Sequence, residues 1–228
     1  MTWREEAKRR AALAAVQHVK DGFVVGLGSG STAAYVIEEI GRLIREEGLE
    51  VLGIPSSSQA MMVAVESGVP LTTLDEHPVL DLDIDGADEV DSKLDMIKGG
   101  GGALTKEKIV ASASKQVVIV ADETKLVEKL GAFKVPVEVL PFALATATAE
   151  IKKLGGKPFL RESKGKVGGV VTDNGNYILD VDFGLIADVE ELNQKLKLVP
   201  GVIETGLFIG LANVVYLAKP DGITKLEK

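Results

Sequence analysis

Cysteine is absent from all 228 residues. A disulfide framework, thiol chemistry and thiolate-bound zinc are therefore excluded. Histidine is nearly as scarce: His18 and His77 are the only two, too few for a histidine-rich metal centre. A membrane-crossing helix needs about 18 or more consecutive apolar residues, and no such run occurs. The opening segment MTWREEAKRRAALAAVQHVK carries charges where a signal peptide has an unbroken apolar stretch. Positive charge is in deficit, with 26 Lys and Arg against 34 Asp and Glu, a formal net charge of −8. A chain devoted to nucleic acid carries the opposite balance. The expectation is a soluble, cytoplasmic protein with neither a nucleic-acid nor a membrane partner.

What is present is ordinary globular composition, 46% hydrophobic and 26% charged. At about 150 residues per domain the length allows one large domain or two small ones. Short apolar runs at 23–27, 49–54, 79–84 and 116–121 alternate with helical spacing at 4–20, 33–47, 59–67 and 105–114. Buried strands alternating with helices predict a mostly parallel sheet covered on both faces. The pattern changes near residue 134. A strand at 135–140, a helix at 142–154, strand-like segments at 158–161 and 169–172, the turn Asp173-Asn174-Gly175-Asn176, a return strand at 177–183, a helix from Asp188 and a last strand at 202–209 follow the order β-α-β-β-α-β with one additional strand-like segment. Residues 214–218 again resemble the first strands. The expected fold is α/β: a doubly wound, Rossmann-like domain of residues 1–133 plus 207–228, with a smaller α+β, ferredoxin-like domain, 134–206, inserted into it.

Three segments could carry chemistry. Gly26-Leu27-Gly28-Ser29-Gly30-Ser31-Thr32 joins a strand to a helix. Its glycines permit a tight turn of converging amides, and the hydroxyls and the helix N-terminus favour a phosphate. A P-loop would require lysine after Gly30, which Ser31 replaces. A dinucleotide fingerprint would require a third glycine at Ser31 and a carboxylate closing the next strand, which instead ends Pro55-Ser56-Ser57-Ser58. A lone phosphate monoester is the best functional reading, against a plain turn. The second segment, Asp81 to Asp91, begins like a calcium loop, but its twelfth position is Ser92 rather than glutamate. Read instead as a strand, it delivers Asp85 and Asp88, flanking Gly86 and Ala87, beyond its C-terminal end, where open α/β sheets bind ligands. The third segment is Lys98-Gly99-Gly100-Gly101-Gly102 with the helix after it. The glycines are either a linker or a wrap of amides around an anion, with Lys98 at its mouth. Glu107 is either a carboxylate held for chemistry or a helix-start glutamate favoured by the macrodipole. Lys125 follows another strand end. Loops at the same ends of parallel strands converge, so the three are expected on one sheet edge.

Taken in order and spacing, GLGSGSTAA, SSS at 56–58, DGADEVD, KGGGGALTKEKIVA, VEVLPFA and GGVVTDNGNYILD closely resemble the A-type ribose-5-phosphate isomerases. The resemblance covers nearly the whole chain; Gly102, often Ala in that family, is a mild departure. It implies interconversion of D-ribose 5-phosphate and D-ribulose 5-phosphate in the pentose phosphate pathway, without metal or organic cofactor, by a homodimer or homotetramer. It also implies Glu107 as the catalytic glutamate, substrate binding by Ser29, Gly30, Ser31, Thr32, Asp85, Gly86, Ala87, Asp88, Lys98, Gly99, Gly100 and Gly101, and a further lysine at Lys125. The residue types fit such chemistry. Glu107 can carry a proton between C1 and C2, Lys98 and the glycine amides can stabilise an enediolate, and Asp85 or Asp88 can assist ring opening. The serine-threonine turn, helped by Lys8, can hold the phosphate. The alternative is a phosphosugar-sensing module without catalysis. Acyl-CoA transferases and amino-sugar phosphate deaminases are further candidates of similar architecture.

Overall fold

A computed structural model describes residues 3–228. In chain order the elements are α1 (Trp3–Val16), β1 (Val24–Leu27), α2 (Ser31–Glu47), β2 (Leu52–Pro55), α3 (Ser58–Ser67), β3 (Leu82–Gly86), β4 (Glu89–Val90), β5 (Met96–Ile97), α4 (Leu104–Ser112) and β6 (Val117–Asp122). There follow β7 (Val135–Val139), α5 (Leu144–Lys153), β8 (Lys157–Leu160), β9 (Glu162–Ser163), β10 (Lys166–Gly169), β11 (Tyr177–Asp182), α6 (Val189–Lys197), β12 (Val202–Thr205), β13 (Leu207–Phe208), β14 (Val214–Lys219) and β15 (Gly222–Glu227). These form two compact units: residues 3–87, 106–126 and 210–228 in the first, 88–105 and 127–209 in the second. Among the described residues no helix is long and apolar enough to cross a membrane.

The first unit is a six-stranded sheet ordered β15-β14-β6-β3-β1-β2. All neighbours are parallel except β14 and β15. Strands such as β6, VVIVAD, are buried along their whole length because helices cover both faces. Val25, Leu27, Leu82 and Ile84 pack with Ala11, Ala15, Val36, Ile37 and Ile40 of α1 and α2. On the opposite face Val24, Ile54 and Leu80 pack against Val110 of α4. The helix ends follow local capping rules. Gly48 adopts φ 74° to end α2, and Ser57 Oγ accepts the Ala60 amide at 3.1 Å to begin α3.

The second unit holds a four-stranded antiparallel sheet ordered β12-β7-β11-β8. With α5 and α6 this is the expected ferredoxin-like arrangement. Its core joins Val135, Val137, Val139, Leu179 and Val181 to Ala147, Ile151 and Leu196 of the two helices. The structure also differs from the pattern reading. The single strand expected at 202–209 is broken at Gly206, where an added Cβ would lie 2.4 Å from the Lys98 carbonyl oxygen. β13 instead pairs with β5, which pairs with β4. The strand expected at 169–172 is an isolated bridge from Val171 to Tyr177, while Lys166–Gly169 turns away to pair with β9. The first sheet gains an edge strand, β15, that hydrophobic runs do not reveal.

Close approach of α2 and α3 depends on a missing side chain. A Cβ at Gly41 would sit 2.3 Å from the Ser67 carbonyl oxygen. Alanine would gain up to about 1 kcal/mol of helix propensity, but forcing two helices apart costs about 1–3 kcal/mol. Gly41→Ala is therefore expected to lower stability in urea unfolding; an increase would contradict this packing.

Candidate active site

From β1 the chain moves outward to β2, then returns to place β3 on the other side of β1. Such a reversal opens a crevice at the C-terminal strand ends. The serine-rich turn and Asp85 lie there. The Gly28 amide donates to the Ile84 carbonyl at 3.0 Å, and the Ser29 amide to Asp85 Oδ1 at 3.0 Å. A Cβ at Gly28 would fall 2.3 Å from that oxygen and 2.5 Å from the Asp85 Cα, so only glycine fits. Ser29 Oγ lies 2.9 Å from Ser56 Oγ and donates to Ser57 Oγ at 2.6 Å. The position where a dinucleotide fold needs a carboxylate is thus spent on shaping the turn. Gly30 caps α2 with φ 90°, and its amide donates to Gln59 Oε1 at 2.9 Å. Lys8 Nζ donates to Ser31 Oγ at 2.8 Å, bringing a cation to the N-terminus of α2. Hydroxyls, a helix start and a lysine come together here, groups that a phosphate cradle would use.

Asp85 is 1% exposed and also accepts the Gly86 amide at 2.7 Å. Asp83 and Asp85 lie on β3 rather than on a loop that could wrap a calcium ion. Just before that strand, Asp81 accepts from Lys115 Nζ at 2.7 Å and the Val24 amide at 3.0 Å. Those bonds hold its carboxyl below the ordinary range. At the far end of α4, the Ala113 carbonyl accepts the Leu80 amide. The helix therefore runs antiparallel to β3, with its start toward the C-terminal strand ends. Val110 packs where a Gly26 side chain would be. Glu107 lies one turn earlier on the same face, 5% exposed. Lys125 is half-buried in the short helical turn after β6.

In the second unit the β4–β5 hairpin sets Asp88 beside the glycine run: the Asp88 amide donates to the Ile97 carbonyl at 2.9 Å, and Asp88 Oδ2 accepts the Gly100 amide at 2.7 Å. Lys98 is 4% exposed, with Nζ 5.4 Å from the centre of the Phe208 ring. The run is no linker. Gly99 has φ 98°, its carbonyl accepts the Gly102 amide at 2.9 Å, and Arg161 binds the Gly99 and Gly100 carbonyls.

Pattern reading missed Glu138. It is the one charged residue of the buried strand VPVEV and is 0% exposed. Oε1 accepts Thr172 Oγ1 at 2.8 Å, Asn174 Nδ2 at 3.0 Å and Asn176 Nδ2 at 2.8 Å; Oε2 accepts Thr105 Oγ1 at 2.5 Å. The signal was available twice, as a lone carboxylate in an apolar strand and as a turn rich in donors.

Residues 52–222 match the family model of ribose 5-phosphate isomerase A (phosphoriboisomerase A). A ribose-5-phosphate isomerase A of Methanothermobacter thermautotrophicus is 51% identical over 220 residues, 96% of this chain and 97% of that protein. The solved ribose 5-phosphate isomerase A of Methanocaldococcus jannaschii superposes with a TM-score of 0.95 at 45% identity, covering 99% of this chain and 100% of the other. A solved D-ribose-5-phosphate isomerase in complex with phospho-erythronic acid superposes with a TM-score of 0.97 at 40% identity, covering 100% of both chains.

The Glu138 cluster yields a stability prediction. In Glu138→Gln one acceptor oxygen becomes an NH2 facing donors. Unsatisfied buried polar groups cost about 1–3 kcal/mol each. Urea unfolding should show a loss of that size; unchanged stability would contradict the network.

Proposed function

The chain belongs to the ribose 5-phosphate isomerase A family, and we propose on that footing that it interconverts D-ribose 5-phosphate and D-ribulose 5-phosphate. The observation that carries the mechanism is Glu107, a carboxylate nearly removed from water on the sheet-facing side of α4. A general base must be held in a fixed position within hydrogen-bond reach of the proton it takes, and burial in a helix flank supplies the fixed position.

In this reading the phosphate docks in the turn of Ser29 to Thr32, with Lys8 balancing its charge. Anchoring there turns binding energy remote from the reaction into orientation of C1 and C2. Asp85 or Asp88 accepts a sugar hydroxyl and assists ring opening. Glu107 removes the C2 proton of the open aldose, electrons move from the C–H bond to the C1–C2 bond, and O1 takes up negative charge. Lys98 and the Gly101 amide stabilise that charge. The cis-enediolate then shifts its hydroxyl proton from O2 to O1, and Glu107 returns the carbon proton to C1, giving the ketose. No net oxidant or reductant is required. A sensor without catalysis would have no need of a buried carboxylate at position 107.

A coupled assay with ribose 5-phosphate tests this directly, run with and without EDTA. Glu107→Gln should lower kcat by about 10² to 10⁴ while phosphosugar binding persists. Near-normal turnover in that variant would overturn the assigned mechanism.

A further inference from the structure

The glycine run poses a mechanical problem that its one internal bond, from the Gly102 amide to the Gly99 carbonyl, solves only in part. Consecutive glycines are the most freely rotating backbone available, yet a donor to a developing charge must already point the right way. The structure assigns the solution to Arg161: we propose that it is a positioning residue, a brace that with Asp180 sets the orientation of the 99–101 peptides. The inference rests on the isomerase reading for what those peptides face.

The geometry lies wholly within the second unit. Arg161 follows β8, and its backbone is laddered on both sides. Its amide donates to the Ile178 carbonyl at 2.8 Å, and its carbonyl accepts the Val170 amide at 2.8 Å. On β11, Asp180 pairs in register with Phe159. Arg161, two residues beyond Phe159, is the diagonal neighbour of Asp180 on the same face. Arg161 Nε donates to Asp180 Oδ2 at 2.9 Å and Nη2 to Oδ1 at 2.5 Å. The pair is largely shielded, with side chains 14% and 24% exposed. That fork leaves Nη1, which donates to the Gly99 carbonyl at 2.9 Å and the Gly100 carbonyl at 3.1 Å. Lysine could not do both, having no rigid plane that fixes one donor by anchoring two others.

Gathering two carbonyls on one side has a consequence at the amides. In a trans peptide the N–H points opposite to the C=O. Holding the Gly99 carbonyl turns the Gly100 amide away from Arg161, and there it meets Asp88 Oδ2 at 2.7 Å. Holding the Gly100 carbonyl likewise turns the Gly101 amide away from Arg161. One guanidinium thereby sets both the proposed oxyanion donor and the aspartate beside it. Gly100 must stay glycine for this, since a Cβ would lie 2.6 Å from the Asp88 carboxylate.

The experiment uses the full chain and three variants: Arg161→Lys, Arg161→Ala and Asp180→Asn. Losing a direct oxyanion donor costs about 10² to 10³ in kcat; losing a brace should cost about 10- to 10²-fold, with KM changed by less than about threefold. Competitive inhibition by inorganic phosphate, which reads the turn in the other unit, should be unchanged. Millimolar guanidinium should restore part of the turnover of Arg161→Ala, and methylammonium should not. Arg161→Lys and Asp180→Asn within about twofold of wild type would overturn the brace while leaving the isomerase reading intact. Loss of turnover together with phosphate inhibition, without guanidinium rescue, would show a merely structural role and also overturn it. A wild-type chain without isomerase turnover would overturn the isomerase reading and the brace with it.

Discussion

Gly28 lies so close to Asp85 that a methyl group added to it would sit 2.3 Å from the carboxylate, and much of the first unit follows from that contact. It occurs where β1 and β3 end side by side, at the reversal of strand order. The missing side chain lets the Ser29 amide reach Asp85 Oδ1, and the aspartate in turn pins the start of the turn. Ser56 and Ser57 hold it from the next strand end. The result is a loop whose conformation is set before any ligand arrives. Preorganisation of that kind suits a turn proposed to bind a dianion in a chain of net charge −8, with Lys8 bringing positive charge to it.

The second unit shows the same logic with different parts. Its glycine run is soft, so rigidity comes from outside, through the Arg161–Asp180 fork and the Asp88 carboxylate. Glu138 draws Thr105, at the start of α4, and the 172–176 turn around one buried carboxylate. Charged groups removed from water are costly unless fully bonded, and both clusters are. Each therefore admits few alternative arrangements, which suits loops that must present donors in fixed directions.

Much of this was legible in the residues. The strand–turn–helix at 24–32, the buried runs of the parallel sheet and the caps at Gly48 and Asp188 all obey local rules. The serine turn, Asp85 and Lys125 do lie at C-terminal ends of parallel strands in one sheet. Lys98 and its glycines belong to the other unit. They are set there by β4, β5 and β13, strands of two residues each, too short to show any period. β15, GITKLE, alternates half-buried and exposed positions with polar residues among them, and so reads as a tail. The role of Arg161 was invisible because its partners are 19 and about 60 residues away along the chain. No local pattern encodes a bond to a backbone carbonyl at that distance.

The central claim is that a phosphosugar is held by its phosphate in the turn that Gly28 and Asp85 shape. The most direct measurement is an amide NMR titration with ribose 5-phosphate, with ribose as the control. The account predicts saturable shifts of the Ser29, Gly30, Ser31 and Thr32 amides with the phosphate ester and almost none with the free sugar. Equal shifts with both sugars, or shifts that leave those four amides unmoved, would contradict it.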